Sequence, residues 1–284
     1  MKSANHYADE YNAYEKEPKK IRVLDSTLRE GEQHPGVSFT NKQRIQIAWM
    51  LDYFGVDQIE ISPVVSPDHK EATKTIIKQG LKADIVSHGR ALKEDIDISL
   101  SCDAKWVAAY LGISDIHLKD KLRITKEQAL ERAVETVSYA KQHGLNIRFT
   151  VEDGSRAEPQ FLMKVCKAIE EAGAVGIEIE AVPPEVGKAV DDAVKIFTFS
   201  IGAGGAGCGQ LLLGADLIGA FDDFKPKFAK RFGNIGEVAT NAFRAYAEEV
   251  RMGMFPGPEH SYQMPSDEAN KLASFLATKK NGRG

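Results

Sequence analysis

Between residues 21 and 202 the apolar positions follow two rhythms in turn. Short apolar runs have the length and β-branched content of buried strands: IRVLD (21–25), VDQIEIS (56–62), ADIVSH (83–88), KWVAAYLG (105–112), NIRFTVED (146–153), VGIEIE (175–180) and IFTFSIG (196–202). Between them lie stretches with helical periodicity, at 40–55, 68–79, a poorer one before 105, 125–144, 158–173 and 184–194. Two of these open with a capping box, Thr40 with Gln43 and Thr125 with Gln128, and Gly55, Gly144 and Gly173 supply stops.

Strands alternating with helices argue for parallel βαβ units, and hence for an α/β fold of the TIM-type (β/α) barrel kind. Seven strands are visible where a closed barrel of this type has eight, so the barrel is expected to be seven-stranded or incompletely closed. Open strand edges favour pairing with another copy, so a homo-oligomer is expected. After Gly202 the character changes: IGAGGAGCGQ (201–210) is glycine-rich, KPKFAKRF (225–232) is basic and aromatic, 236–252 is an amphipathic helix and FPGPEHSYQMP (255–265) reads as extended. The organisation reads as a disordered or draped polar arm (1–19), five βα units (20–173), closing units with a helix (174–262) and a flexible tail (263–284).

The chain has 284 residues, 43% hydrophobic and 27% charged, enough for a full-sized core. A net charge of -4 gives no basic surface for nucleic acid or anionic lipid. No apolar run approaches the ~18–20 residues that span a bilayer, and the polar N-terminus lacks a signal-peptide core. Cys102, Cys166 and Cys208 are scattered without CxxC spacing, which excludes a disulfide framework or a cysteine metal site and fits a reducing cytoplasm.

The chemistry-bearing residues gather where strands end: Arg29, Glu30, Ser62, His88, Glu152, Asp153 and Glu180. That end of the strands is where such barrels build active sites. In LDSTLREGEQHPG (24–36), Glu30 can ligate a divalent metal while Arg29 stabilises oxyanion charge, Glu60 orients Arg29, and His88 is a further ligand or acid–base group. A salt-bridge network on a barrel rim is the alternative. Glu178 and Glu180 alternate and so share a side; an inward pair is costly unless protonated, paired or metal-bound. IGAGGAGCGQ can cradle a phosphate or permit close backbone packing. Phe197 and Phe199 are expected in the core, and HLKDKLR (117–123) as a charged loop.

LDSTLREGEQ, followed by IEISPVVSP, SHGR and IRFTVEDGSR, resembles the DRE-TIM metallolyase family over about residues 20–173, nearest its homocitrate synthase and isopropylmalate synthase branch. The resemblance implies a Claisen-type condensation of acetyl-CoA with a small 2-oxo acid on a divalent metal (Mg, Mn or Zn). It implies that Glu30 ligates the metal, Arg29 stabilises enolate or oxyanion charge, Gln33 lies near the acetyl group, and Glu60 pairs with Arg29. His88, Arg148 and Thr150 would contact the 2-oxo acid. The family's His-x-His pair and its DTVG-like motif are absent from this chain. From about 168 to 262, EEAGAVGIEIEAVPPEVGKAV, FTFSIGAGGAGCGQLLLGADLIGAF, KPKFAKRF and MGMFPGPEHSY resemble ketopantoate hydroxymethyltransferase. That family transfers a one-carbon unit from methylenetetrahydrofolate to 2-oxoisovalerate, and Glu180 stands at the position of its catalytic base. The chain reads as a chimera with its seam in AIEEAGA (168–174). The expected function is metal-dependent carbon–carbon bond formation on a 2-oxo acid, with hydroxymethyl transfer and an inert scaffold as alternatives.

Overall fold

The structure, a computed structural model, describes residues 22–222 and 224–280; the expected N-terminal arm lies outside them. Two compact units divide at Leu211/Leu212. The first carries eight strands: β1 (Leu24–Asp25), β2 (Gln58–Ile61), β3 (Asp84–Arg90), β4 (Trp106–Gly112), β5 (Asn146–Glu152), β6 (Gly176–Glu180), β7 (Phe197–Ile201) and β8 (Gly209–Gln210). They form one parallel sheet in strictly sequential order, curled as a half-barrel; among the described residues β8 is not paired with β1, so the barrel is open.

The helices of this unit are α1 (Asn41–Phe54), α2 (Pro67–Lys78), α3 (Lys93–Ser101), α4 (Lys126–Gln142), α5 (Pro159–Glu171) and α6 (Pro184–Ala193). Both capping boxes form. Thr40 Oγ1 accepts from the Gln43 amide at 3.3 Å while the Thr40 amide donates to Gln43 Oε1 at 2.8 Å. Thr125 and Gln128 repeat the arrangement at 3.2 and 2.9 Å. Gly55 ends α1 at φ +98°, a backbone conformation closed to most side chains.

Eight strands stand where the sequence pattern showed seven. The extra one, β8, is two residues long and lies in the glycine-rich stretch, too short for any alternation to register. A Cβ at Gly209 would come within 2.7 Å of Phe199 Cδ1, and one at Gly207 within 3.0 Å of the Thr198 carbonyl oxygen. The glycines therefore serve close backbone approach. The expected 173/174 seam falls inside this unit: β5 and β6 pair across it, from Arg148 opposite Gly176 to Val151 opposite Ile179.

Period-two alternation gives the sheet two unlike faces. Val107, Ala109, Leu111, Ile147, Phe149, Val151, Ile177 and Ile179 face the helices and pack with Ala129, Ala133 and Val137 of α4 and Leu162, Val165 and Ile169 of α5. A smaller cluster joins Ile59, Ile61 and Ile85 to Leu28, Ala48 and Ile76. Each such buried aliphatic or aromatic side chain contributes about 1.5–3 kcal/mol. The opposite, inner face carries Glu60, His88, Tyr110, Arg148, Thr150, Glu178 and Glu180 in register. Phe197 and Phe199 also belong to this face and not to the core: Phe197 is 64% exposed, and Phe199 lies under the Arg148 guanidinium at 5.5 Å.

The 117–123 stretch, expected as a loop, includes a π-helical turn, His117–Leu122. Gly112 makes room for it, since a Cβ there would lie 2.1 Å from His117 Nδ1.

The second unit holds α7 (Gly214–Ile218), α8 (Ile235–Arg251) and α9 (Ser266–Lys280). The segment expected to be extended contains a 3-10 turn at Pro258–His260, and much of the expected flexible tail is α9, with Asp267 and Glu268 in its first turn as the helix dipole favours.

Candidate functional site

Five ionisable side chains of alternating sign run across the inner face. Arg29, just past β1, is ion-paired with its neighbour Glu30. Its Nε lies 3.5 Å from Glu60 Oε2 on β2. Glu60 Oε1 accepts from Arg148 Nη2 on β5 at 2.5 Å, and Ser26 Oγ donates to Glu60 Oε2 at 2.6 Å. Arg148 Nη2 is 3.3 Å from Glu178 Oε2 on β6. Glu60, Arg148 and Glu178 are all buried, at 2%, 6% and 4% exposure. Ions so deep in a protein persist only with opposite charge at hand. Burial works to raise the Glu60 carboxyl, but Arg148, His88, Arg29 and the Ser26 hydrogen bond outweigh it and hold Glu60 below the ordinary range.

His88 on β3 is 2.8 Å through Nε2 from Arg29 Nη2. A guanidinium only donates, so Nε2 is the acceptor and the neutral ring carries its proton on Nδ1. Burial first, then Arg29 and Arg148 against Glu60, depresses His88 to about 4, so it is uncharged at neutral pH. Tyr110 stacks on the imidazole at 5.3 Å.

Among the described residues the network leaves four buried polar atoms without a hydrogen-bond partner on this face: Arg29 Nε, Arg148 Nε, Thr150 Oγ1 and Glu178 Oε2. Such an atom costs about 1–3 kcal/mol unless something satisfies it. Two are guanidinium donors and one a hydroxyl, a set suited to a ligand carboxylate and an adjacent carbonyl oxygen.

Local sequence explains why the strand-one loop is fixed. Glu32 accepts from Arg44 Nε at 2.9 Å, from Arg44 Nη2 at 2.7 Å and from the Phe39 amide at 3.1 Å, which ties the loop to α1. Beyond the ends of β4 and β5, Ser114 bonds Asp153, Lys121 reaches Glu152 at 3.0 Å, and His117 Nδ1 stands 3.5 Å from Glu152 Oε2.

The structure therefore brings together Arg29, Glu30, Glu60, His88, Arg148 and Thr150. Glu60 bonds Arg148 more closely than it meets Arg29, the pairing expected from sequence. Glu180, at the exposed end of β6, feels both Glu30 and Arg29; its carboxyl is raised by burial, then by Glu152 and Glu30. Gln33 ends a short 3-10 turn and is exposed, outside the network. Ser26 and Tyr110 are contributors that sequence reading passed over. Tyr110 could have been found from the strand pattern, two residues beyond the Ala108 that pairs with His88.

The expected divalent metal finds no matching donor set. Glu30 is taken by Arg29, and His88 Nε2 accepts from the same guanidinium. Among the described residues no three His, Cys, Asp or Glu side chains converge to hold an ion. Nor is any helix among them long and apolar enough to cross a membrane. Cys102 and Cys166 are buried, Cys208 is exposed, and none is in a disulfide.

Comparison with known proteins agrees with both resemblances. The HMGL-like family matches residues 20–187, and ketopantoate hydroxymethyltransferase matches 125–258. Homocitrate synthase AksA of Methanopyrus kandleri is 44% identical over 185 residues, 65% of this chain and 46% of that protein. Homocitrate synthase of Sulfolobus acidocaldarius is 49% identical over 56% of this chain and 35% of its own length. A probable 2-isopropylmalate synthase of Ignicoccus hospitalis is 47% identical over 57% of this chain and 41% of its own. The chain thus spans less than half the length of these relatives. In fold it is similar to hydroxymethylglutaryl-CoA lyase from Pseudomonas aeruginosa, with a TM-score of 0.52 and 21% identity over 62% of this chain and 64% of that one. The match over more than half of its residues places the chain in the HMGL-like family.

Proposed function

We propose that the inner face binds a small 2-oxo acid and serves carbon–carbon bond formation at its keto carbon, as the names of the homocitrate and 2-isopropylmalate synthase relatives suggest. The observation that carries the reading is that the Nε–H groups of Arg29 and Arg148 and the Thr150 hydroxyl are all buried and unsatisfied among the described residues. Arg148 and Thr150 hold the substrate carboxylate. Neutral His88 donates from Nδ1 to the keto oxygen, and Arg29 stabilises the negative charge that gathers there.

With acetyl-CoA as co-substrate, Glu180 takes a proton from the acetyl methyl. The resulting carbanion bonds to the keto carbon, and the alkoxide so formed is protonated. Water then cleaves the thioester and releases CoA thiol. Burial, then Glu152 and Glu30, raise the Glu180 carboxyl, the direction that strengthens it as a proton acceptor. Because the described donors do not fit a divalent metal, no step is assigned to one.

A second reading, hydroxymethyl transfer from methylenetetrahydrofolate to 2-oxoisovalerate, is favoured by the match over 125–258, which includes Glu180. An inert scaffold is the third.

Thiol release from acetyl-CoA with 2-oxoglutarate or 2-oxoisovalerate, with and without Mg or Mn, separates them. Release that depends on the 2-oxo acid and is lost in Arg148→Met supports the synthase reading. Folate-dependent consumption of 2-oxoisovalerate without thiol release favours the second reading. Neither activity, from a cooperatively folded protein, sinks both and leaves the scaffold.

A further inference from the structure

Glu178 is the one member of the ionic chain with a loose attachment. Glu60 is secured three ways, by Arg148 at 2.5 Å, Ser26 at 2.6 Å and Arg29 at 3.5 Å. Among the described residues Glu178 is ion-paired only with Arg148, at 3.3 Å, and its Oε2 makes no hydrogen bond although it is buried. The groups acting on it are Arg148 from β5, Glu60 from β2, Arg29 from the strand-one loop and Glu180 from its own strand. Thr150 and Phe199 stand opposite it in register on the neighbouring strands. One guanidinium thus serves two carboxylates unequally. A third carboxylate, arriving with a ligand, would displace the weaker partner.

The other cation acting on Glu178, Arg29, is already engaged by Glu30, Glu60 and His88, and an unpaired buried carboxylate is strongly disfavoured. Once protonated, it is instead a donor, and Thr150 Oγ1 and an incoming carboxylate are acceptors within its neighbourhood. We propose that Glu178 competes with the ligand's carboxylate for Arg148 and takes up a proton as it yields, so that anion binding on the inner face is coupled to proton uptake at this residue. Burial already raises the Glu178 carboxyl, with Glu60 and Glu180 adding to it against Arg148 and Arg29, the same direction that the exchange requires. The inference rests on the 2-oxo acid reading only for the ligand's identity; the exchange requires just a carboxylate. It makes Glu178 a specificity-determining residue that disfavours anion binding as pH rises.

The test is calorimetric titration of the full chain with 2-oxoglutarate, 2-oxoisovalerate and acetate, from pH 5.5 to 8.5, in pairs of buffers with different ionisation enthalpies. The expected result is uptake approaching one proton per ligand at the upper end of the range, with Kd weakening about tenfold per pH unit there. In Glu178→Gln the uptake is lost and Kd is flat with pH. Binding by wild type with no uptake at any pH overturns the inference and leaves the 2-oxo acid reading standing. Uptake that persists in Glu178→Gln does the same. Uptake with acetate equal to that with the oxo acids supports the inference and removes the 2-oxo specificity. No binding of any of the three probes overturns both. If Glu178→Gln does not fold, the wild-type buffer comparison decides alone.

Discussion

The two faces of β5 are one residue apart and opposite in character. Ile147, Phe149 and Val151 turn to the helices and are fully buried among apolar neighbours; Arg148 and Thr150 turn inward and retain unsatisfied polar atoms. Both sets are buried, so burial alone does not separate them. What separates them is whether the surroundings complete each group's interactions. The helix-facing set is complete, and its replacement should register as lost stability. The inward set is incomplete, and its replacement should register mainly in ligand binding and pH response.

The largest expected effect is on the complete face. Phe149→Ala should cost about 3–5 kcal/mol in urea denaturation, through lost transfer energy and the cavity left behind. A cost under about 1 kcal/mol would mean that the helix layer is not packed on the sheet as described.

Next is His88, on the inner face, whose effect appears as pH dependence. Its ionisation is depressed to about 4 from an ordinary 6.5, so the folded state resists a proton that the unfolded chain accepts. The associated stability is fully present above pH 6.5 and is lost as pH falls toward 4. The total loss is about 3 kcal/mol, with about 2 of it between pH 6.5 and 5. Glu60, held below its ordinary range, loses its contribution only as pH falls below about 4.5. Denaturation of wild type and His88→Gln at pH 7 and 5 isolates the histidine: the wild type should weaken more on acidification. Parallel behaviour would mean that His88 is not buried beside the guanidiniums.

These contrasts also show what the sequence could and could not disclose. Seven strands and the capped helices were legible because hydrophobic period and caps are local signals, and the strand-one motif identified Arg29 and Glu30. Three features were not local. β8 is two residues in a glycine-rich run, and its pairing is set by contact with Phe199 and Thr198. The α9 helix lies where proline and polar residues suggested a tail. The preference of Glu60 for Arg148 over Arg29 joins residues 88 apart and depends on the register of β2 to β5. Sequence gave Glu178 and Glu180 a common side but could not say that one is buried beside Arg148 and the other exposed at the strand end.

A smaller effect tests the boundary between the two kinds of position. Gly112→Ala would drive a methyl to 2.1 Å from His117 Nδ1, so the π-helical turn must shift. The expected cost is about 1–3 kcal/mol, as for overpacking in a core. Hydrogen exchange should accelerate over 113–123 while the amides of β5 keep their protection. Unchanged exchange in the turn would show that His117 is not seated against β4.

The smallest stability change is the sharpest test of incompleteness. Thr150 is buried, 6% exposed, and its hydroxyl has no hydrogen-bond partner among the described residues. Thr150→Val replaces that hydroxyl with a methyl of nearly the same volume. Because no internal hydrogen bond is lost and an unsatisfied buried group is removed, stability should be unchanged or rise by up to about 1 kcal/mol. A hydroxyl held ready for a ligand predicts the opposite for binding: affinity for a 2-oxo acid should fall by about 3- to 10-fold, the worth of one hydrogen bond. The two signs together are the discriminating outcome. If Thr150→Val destabilises and leaves ligand affinity unchanged, the hydroxyl is satisfied within the protein, and the inner face of β5 is as complete as the outer.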